Sequence, residues 1–276
     1  MFLCRLDNEV IFKKAFTDKL VFTQFVKDVI GLDIIVKKIE TEKSFQPKIA
    51  YIDFSYDIFA ETTDNRVIVE IQRVNYDYNF DRFLHYHIMA IAELQRKASD
   101  YKIKPKVYTI VVLTAPLRIE DEEGKAVEDD VLILDMIPHN RHGKFVKFLG
   151  HQLMFLSPHL KTDDTPPALK DWFDLILESI KNPENPKINL QNKAIKRAAE
   201  LIEDDNLTPE IRTASKIAVA TEETRQIVEK QAKAEGHRQA NLETAQKMIA
   251  KGFDVNTISE LTGFEVETIN KLGTEK

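Results

Sequence analysis

The sequence predicts an α/β protein in which helices pack on a mixed β-sheet. Two runs of alternating apolar and polar residues, at 52–61 and 66–72, flank a short polar break. A segment with helical spacing follows at 80–98, and the nearly continuous apolar run KVYTIVVLT follows at 106–114. Strand, strand, helix and buried strand in this order predict a hairpin followed by a crossover to a parallel neighbour.

The first expected element is a helix over residues 9–31. Asp7 or Asn8 can cap its start, and apolar residues recur along it at helical spacing. A break at 17–18 divides the pattern and predicts two helices. Glu9 lies in the first turn, where the helix dipole favours an acid whatever else that acid does.

A β-hairpin is expected at 52–72, after a connection or edge strand at 36–42. The sequence TTDN at 62–65 has the chemistry of a turn. Even positions of the first strand are apolar, and one face of the second strand carries Val67, Val69 and Ile71. The acids and amides of both strands therefore collect on the opposite face.

The register of this hairpin decides which polar residues meet. A two-residue loop centred in the turn, or a four-residue loop spanning it, sets Asp57 opposite Glu70; a loop shifted by one residue sets Asp57 opposite Gln72. In each register the three share a face, with Cβ atoms about 5 Å apart when directly opposed. A divalent cation could bridge them, because Mg²⁺ takes oxygen ligands at about 2.1 Å. The alternative is the solvated side of an ordinary amphipathic hairpin.

The next helix and the strands after it complete the predicted sheet. The helix at 80–98 has core spacing at Phe83, Leu84, His87, Ile88, Ile91 and Leu94. Arg82, Tyr86 and Glu93 share one flank of it. The run at 106–114 is expected as a central strand buried on both faces. Residues 131–137 and 145–156 are expected as further strands at the sheet edge.

Prolines at 158, 166 and 167 mark a change to helical sequence. Helices are expected at 167–180, 191–202 and 209–250. Two short helices around the turn Thr262-Gly263 follow, an arrangement that resembles a helix-turn-helix but also occurs in interaction or dimer modules. We therefore predict three segments: a core at 1–160, a helical extension at 161–230 and a C-terminal tail at 231–276.

Composition narrows the class of protein. The 276 residues are 43% hydrophobic and 30% charged, which is typical of a globular protein. The formal net charge of −6 does not favour indiscriminate attraction to nucleic acid, so DNA binding would depend on local basic patches. One cysteine, Cys4, excludes an internal disulfide. With no apolar run of about 18 residues and no signal-peptide layout, we expect a cytoplasmic protein outside the membrane.

Five stretches carry a resemblance to a known family. They are EVIFKKAF (9–16), YDIFAETTDNRVIVEIQ (56–72), RFLHY (82–86), KVYTIVVL (106–113) and GFDVNTISELTGFEVETINKL (252–272). Together they resemble the recombination-promoting nuclease and putative transposase family, a branch of the PD-(D/E)XK nuclease superfamily. The E-x-Q that ends the second stretch is the most specific of these features.

This resemblance implies a restriction-endonuclease-like core: N-terminal helix, β-hairpin, helix, buried strand and mixed sheet, followed by an α-helical C-terminal region. By the same likeness, Asp57 and Glu70 would be the catalytic, metal-binding acids, and Gln72 would stand where most of the superfamily has lysine. Glu9 would be the acid that the N-terminal helix adds to the metal site. Arg82 and Tyr86 match supporting or DNA-contacting positions on the helix beside the site.

The implied activity is that of a Mg²⁺-dependent (or Mn²⁺-dependent) deoxyribonuclease that hydrolyses phosphodiester bonds in a recombination or transposition setting. DNA is the implied partner, and self-association into a homo-oligomer is left open. Gln72 cannot supply the charge of a lysine, although its amide can orient a water. The missing charge would slow catalysis by about 10² to 10³ without abolishing it. The alternative is a non-catalytic DNA-binding or assembly protein that retains the nuclease fold.

Overall fold

The computed structural model describes residues 1–44, 55–72, 80–95, 103–116, 120–146 and 148–274. The expected start of the hairpin at 52–54 and residues 73–79 lie outside these ranges. The helix expected to reach residue 98 ends earlier, at Ala92. The chain divides into two compact units, Met1–Lys216 and Ile217–Lys276. The segment boundaries near residues 160 and 230 stay predictions.

The described residues of the first unit contain six strands and five helices, which confirms the predicted α/β class. The strands are β1 (Ile39–Ser44), β2 (Ser55–Glu61), β3 (Asn65–Gln72), β4 (Lys106–Leu113), β5 (Val131–Asp135) and β6 (Gln152–Leu156). The helices are α1 (Glu9–Phe16), α2 (Lys19–Ile30), α3 (Phe80–Ala92), α4 (Pro167–Lys181) and α5 (Lys193–Ile202). A long helix, α6 (Pro209–Ala250), begins in this unit and ends in the second.

The strands form one mixed sheet in the order β1-β2-β3-β4-β6-β5. The first three strands are antiparallel, β3, β4 and β6 are parallel, and β5 lies antiparallel at the edge. The expected strand at 145–156 is wrong in its first half, because β6 begins only at Gln152. Before it, Phe145 and Phe148 are 64% and 69% exposed, and Gly150 takes a left-handed φ of 90° that a strand does not use.

One face of the sheet packs against α1, α2, α4 and α5. The break predicted at 17–18 is present: the side chain of Asn8 caps α1, and that of Asp18 caps α2. Aromatic rings join these helices, with Phe12 stacked on Phe16 and Phe16 in contact with Trp172 of α4. The packing fixes α1, which carries Glu9, against the sheet.

The opposite face is covered by α3. Its buried residues, Phe83, His87 and Ala90, recur at the spacing of one helical stripe. Tyr56, Phe59 and Ile68 of the hairpin pack in a cluster with Ala90. The expectation that Ile88 belongs to the core is wrong, since this side chain lies off the stripe and is 47% exposed.

Acid is expected to destabilise the protein through His87. This side chain is fully buried, and its Nδ1 lies 2.9 Å from Thr109 Oγ1. Burial, together with the nearby His151, lowers the pKa of His87 to about 4. In the unfolded chain His87 therefore takes up a proton near pH 6.5, whereas in the folded protein it does so only near pH 4. Stability present above pH 6.5 is lost as the pH falls, by about 3 kcal/mol in total.

The measurement is urea unfolding at pH 7 and pH 4.5 for the wild type and for His87→Gln. Glutamine keeps a hydrogen-bonding group near Thr109 and has no proton to gain. We expect the wild type to lose about 2 to 3 kcal/mol more than the variant between the two pH values. Equal losses in both proteins would show that His87 does not titrate as argued.

The second unit contains the end of α6 and two short helices, α7 (Val255–Thr262) and α8 (Val266–Thr274). Ala245, Ile258 and Ile269 form its small apolar core. Gly263 ends α7 with a left-handed φ of 74°, which glycine adopts without strain, so the two helices flank a glycine turn as predicted. Within the described part of the chain, every helix is too short or too polar to traverse a membrane.

Candidate active site

The hairpin of β2 and β3 brings Asp57 and Glu70 together. Its backbone pairs run from Glu61–Arg66 to Ile58–Val69, and the next step of this register sets Asp57 opposite Glu70. There the side chains connect the strands: the Ile71 N–H donates to Asp57 Oδ2 at 3.0 Å, and the Asp57 N–H donates to Glu70 Oε1 at 3.2 Å. The register is thus the first of the two that the turn sequence allows.

Regular alternation of β2 breaks at Asp57. Alternation would place Tyr56 with Ile58 on the face that α1 covers, but Tyr56 packs with Phe59 beneath α3. Glu42, the residue of β1 that faces Asp57 in the register, has a left-handed φ of 52°. Both strands therefore depart from regular pleating at this point, and the expected apolar face of the first hairpin strand is wrong at Tyr56.

Three carboxylates from separate elements meet beside this irregularity. Glu9 of α1, Glu42 of β1 and Asp57 of β2 each offer an oxygen, and these oxygens lie within 4.8 Å of one another. We call these three residues the acid cluster. The ammonium of Lys13, one turn after Glu9 in α1, contacts all three carboxylates, with Asp57 Oδ1 at 3.3 Å. The Ser55 hydroxyl also donates to Glu42 Oε2, at 2.8 Å.

Burial controls the protonation of the two hairpin acids. Glu70 is only 2% exposed, and burial followed by the neighbouring Asp57 carboxylate raises its pKa well above the ordinary value. Burial also raises the pKa of Asp57, because Lys13 and the Ile71 N–H offset only part of the loss of water. A buried carboxyl beside a second carboxylate needs nearby positive charge before it ionises readily, and Lys13 supplies such a charge at Asp57.

Lys13 and Glu42 each stabilise the charged form of the other. Burial alone would lower the pKa of Lys13, but the charge of Asp57 and the hydrogen bonds of Glu42 and Glu9 outweigh it and raise this pKa. Burial opposes ionisation of Glu42 as well, yet hydrogen bonds from Lys13 and Ser55 lower its pKa below the usual range. Lys13 is therefore a permanent positive charge within the acid cluster.

The other predicted site residues lie around the hairpin. Gln72 closes β3 two positions after Glu70, on the same face by alternation, and pairs with Leu113 of β4. Arg82 of α3 is exposed, its Nε donates to the Tyr86 hydroxyl at 3.3 Å, and its charge offsets part of the rise in the pKa of Glu70. The Tyr86 carbonyl accepts from the Tyr56 hydroxyl at 3.0 Å, which ties α3 to β2 beside Asp57.

Sequence reasoning missed Glu42 and Lys13. Glu42 lies in a short edge strand whose bounds were open, and its backbone conformation is one that a glutamate rarely adopts. A signal for Lys13 did exist, since Glu9 and Lys13 are four residues apart on a helix and must share a face. The contact with Asp57, 44 positions further along the chain, has no counterpart in local sequence.

A mixed sheet with helices on both faces, and a buried acid opposite a partly buried one where an antiparallel hairpin joins parallel strands, defines a protein of the restriction-endonuclease-like class. The family model described as "PD-(D/E)XK nuclease family transposase" matches residues 8–245. The chain belongs to this family. A search of curated proteins found no match, and a search of solved structures found none either.

Proposed function

We propose that this protein is a divalent-metal-dependent DNA endonuclease whose active site is the irregular end of the β2–β3 hairpin. The observation that supports this most strongly is the pair Asp57 and Glu70: two carboxylates on opposed residues and hydrogen-bonded to each other's strands, with Glu70 buried and Asp57 partly buried. A structural role does not need a buried acid beside a second, partly buried one when burial raises the pKa of both. Membership of a nuclease and transposase family supports DNA as the proposed substrate.

The donor set fits a hard divalent cation. Asp57 and Glu70 would hold the ion, with Glu9 as a further acid, directly or through water. All three offer carboxylate oxygen, the ligand that Mg²⁺ and Mn²⁺ prefer over nitrogen or sulfur. When bound, the ion would supply Lewis-acid polarisation of the phosphate and a more acidic water.

The chain's own residues would orient the reactants. The reaction consumes one water, whose oxygen forms the new bond to phosphorus while the bond to one sugar oxygen breaks and that oxygen takes a proton. Gln72, on the same face of β3 as Glu70, can position the attacking water because its amide both donates and accepts. Arg82 and Tyr86 contact each other on one flank of α3, and the charge of Arg82 acts on Glu70, so a DNA phosphate could meet the guanidinium there.

We also propose a role for each of the three segments of the chain. The core at 1–160 would cleave DNA, the extension at 161–230 would brace it, and the tail at 231–276 would contact DNA or a protein, including a second copy of this chain. The glycine turn between α7 and α8 suits either use of the tail. A role in recombination or transposition follows from the family description and not from a particular residue.

Removal of the metal is expected to abolish cleavage. Supercoiled plasmid incubated with the purified protein and Mg²⁺ or Mn²⁺ should be nicked or linearised, and excess chelator should stop the reaction completely. Restoring the metal should restore it, because the carboxylates remain in place. Gel electrophoresis of the plasmid provides the readout, with heat-denatured protein as the blank.

The same assay separates the alternative from the proposal. A protein that retards the plasmid on a gel but leaves it uncut with Mg²⁺, Mn²⁺, Co²⁺ and Ni²⁺ would be a DNA-binding protein that retains the nuclease fold. Cleavage that persists in chelator would contradict the metal-dependent mechanism.

A further inference from the structure

Lys13 is placed where a lysine on a helix surface rarely lies. Its side chain is only 13% exposed, and its ammonium sits among the carboxylates of Glu9, Glu42 and Asp57. A lysine normally keeps its charged end in water. Only the surrounding negative charge makes this position favourable, so Lys13 acts as the counter-cation of the acid cluster.

The same position conflicts with a bound divalent ion. Asp57 is both the partner of Lys13, at 3.3 Å, and one of the two acids proposed to hold the metal. An ammonium and a divalent ion at one carboxylate repel each other strongly in a partly buried site. When the ion binds, the flexible four-carbon stem of Lys13 allows its charged end to move away.

The proposed active site has no positive charge at position 72, where most of the superfamily has lysine. Gln72 on β3 carries no charge, whereas cleavage of a phosphodiester develops negative charge on the phosphate oxygens. Lys13 is a cation that contacts all three carboxylates of the acid cluster. Displaced from Asp57, its ammonium would still have Glu9 and Glu42 as partners and so would stay near the hairpin.

We propose that Lys13 is the counter-cation of the acid cluster in the metal-free protein and becomes the cationic catalytic residue at the scissile phosphate once a divalent ion takes Asp57. The first half concerns the protein without DNA. The second half rests on the proposed nuclease function. Lys13 thus supplies, from α1, the positive charge that Gln72 cannot supply from β3.

The test compares Lys13→Met with Lys14→Met, its neighbour in α1 that lies outside the acid cluster. Methionine keeps much of the apolar stem and removes the charge. Calorimetric titration of each protein with Mn²⁺, without DNA, should show at least about tenfold tighter binding to Lys13→Met than to wild type, because the competing cation is gone. Lys14→Met should bind Mn²⁺ like wild type. At saturating Mn²⁺, plasmid cleavage by Lys13→Met should fall by about 10² to 10³.

Each outcome decides one half of the proposal. Unchanged or weaker Mn²⁺ binding by Lys13→Met overturns the counter-cation role and favours a purely structural tie. Tighter binding with full cleavage overturns the catalytic role. If the wild type cuts no DNA with any metal, both the proposed function and the catalytic role of Lys13 are wrong. The Mn²⁺ affinities still test the counter-cation role in that case. Should Lys13→Met fail to fold, Lys13→Arg, which retains the charge, must bind Mn²⁺ as weakly as wild type and retain part of the cleavage.

Discussion

Replacing Glu70 by glutamine is expected to lower DNA cleavage by about 10³-fold while leaving the metal-free protein at least as stable as the wild type. Glutamine preserves the shape of the side chain and an oxygen that can accept the Asp57 N–H. It removes one charged ligand of the proposed ion, a loss of about 4 kcal/mol of transition-state stabilisation. Activity and stability should therefore move in opposite directions.

The stability effect follows from the sign of the pKa shift. The pKa of Glu70 is raised in the folded protein, so folding is favoured at low pH and loses that advantage as the pH rises through the raised pKa. Near neutral pH the buried carboxyl opposes folding, and a neutral amide removes this opposition. Thermal unfolding in chelator should give a melting temperature for Glu70→Gln equal to or above that of wild type.

A matched control lies in the same hairpin. Glu61 also belongs to it, but it pairs with Arg66 at the turn end, away from the acids. Glu61→Gln should cleave plasmid at the wild-type rate. Mn²⁺ should raise the melting temperature of wild type and of Glu61→Gln but not of Glu70→Gln. Full cleavage by a folded Glu70→Gln protein would remove Glu70 from the active site.

Truncating Trp172 to alanine should have the largest effect on stability, lowering the free energy of unfolding by about 3 to 5 kcal/mol. The indole is fully buried, its ring centre lies 5.7 Å from that of Phe16 and 5.3 Å from that of Phe25, and its Nε1–H donates to Asp28 at 2.8 Å. Alanine would leave a cavity beneath α1 and α2 and remove one of the hydrogen bonds that the Asp28 carboxylate accepts, while Gln24 would still donate to it.

Trp172→Phe separates the two contributions. Phenylalanine retains most of the ring packing and loses the hydrogen bond, so we expect it to lose about 1 to 2 kcal/mol. Urea unfolding of both variants provides the comparison. Suppose that Trp172→Ala lowers the free energy of unfolding by less than about 1 kcal/mol. The packing of α4 would then not hold α1 in place, and other contacts would position Glu9 and Lys13.

Much of the hairpin could be predicted from sequence, because its pattern is local. The turn TTDN shows where the strands reverse, and period 2 determines which residues share a face. These two rules left two registers open, and the structure has the one that places Asp57 opposite Glu70. The buried strand β4 could also be predicted, since a strand covered on both faces must be apolar throughout.

The misses arose where distant contacts override local pattern. Tyr56 leaves its expected face because the hairpin is irregular at Asp57, and Glu42 adopts a backbone conformation that side-chain chemistry does not favour. The aromatic residues Phe145 and Phe148 fit a strand pattern, yet both side chains are exposed before the left-handed Gly150. Lys13 could be placed on the face of Glu9, but its insertion among acids of β1 and β2 depends on the tertiary fold.

The most direct measurement is the position of a bound Mn²⁺ ion in crystals of the wild-type protein, located by anomalous scattering. We expect one strong peak at the end of the hairpin, within about 2.3 Å of a carboxylate oxygen of Asp57 and one of Glu70, with the Lys13 ammonium withdrawn from Asp57. Saturating Mn²⁺ that leaves these two carboxylates unliganded, or an ion bound elsewhere on the chain, would contradict the assignment of this hairpin as the catalytic centre.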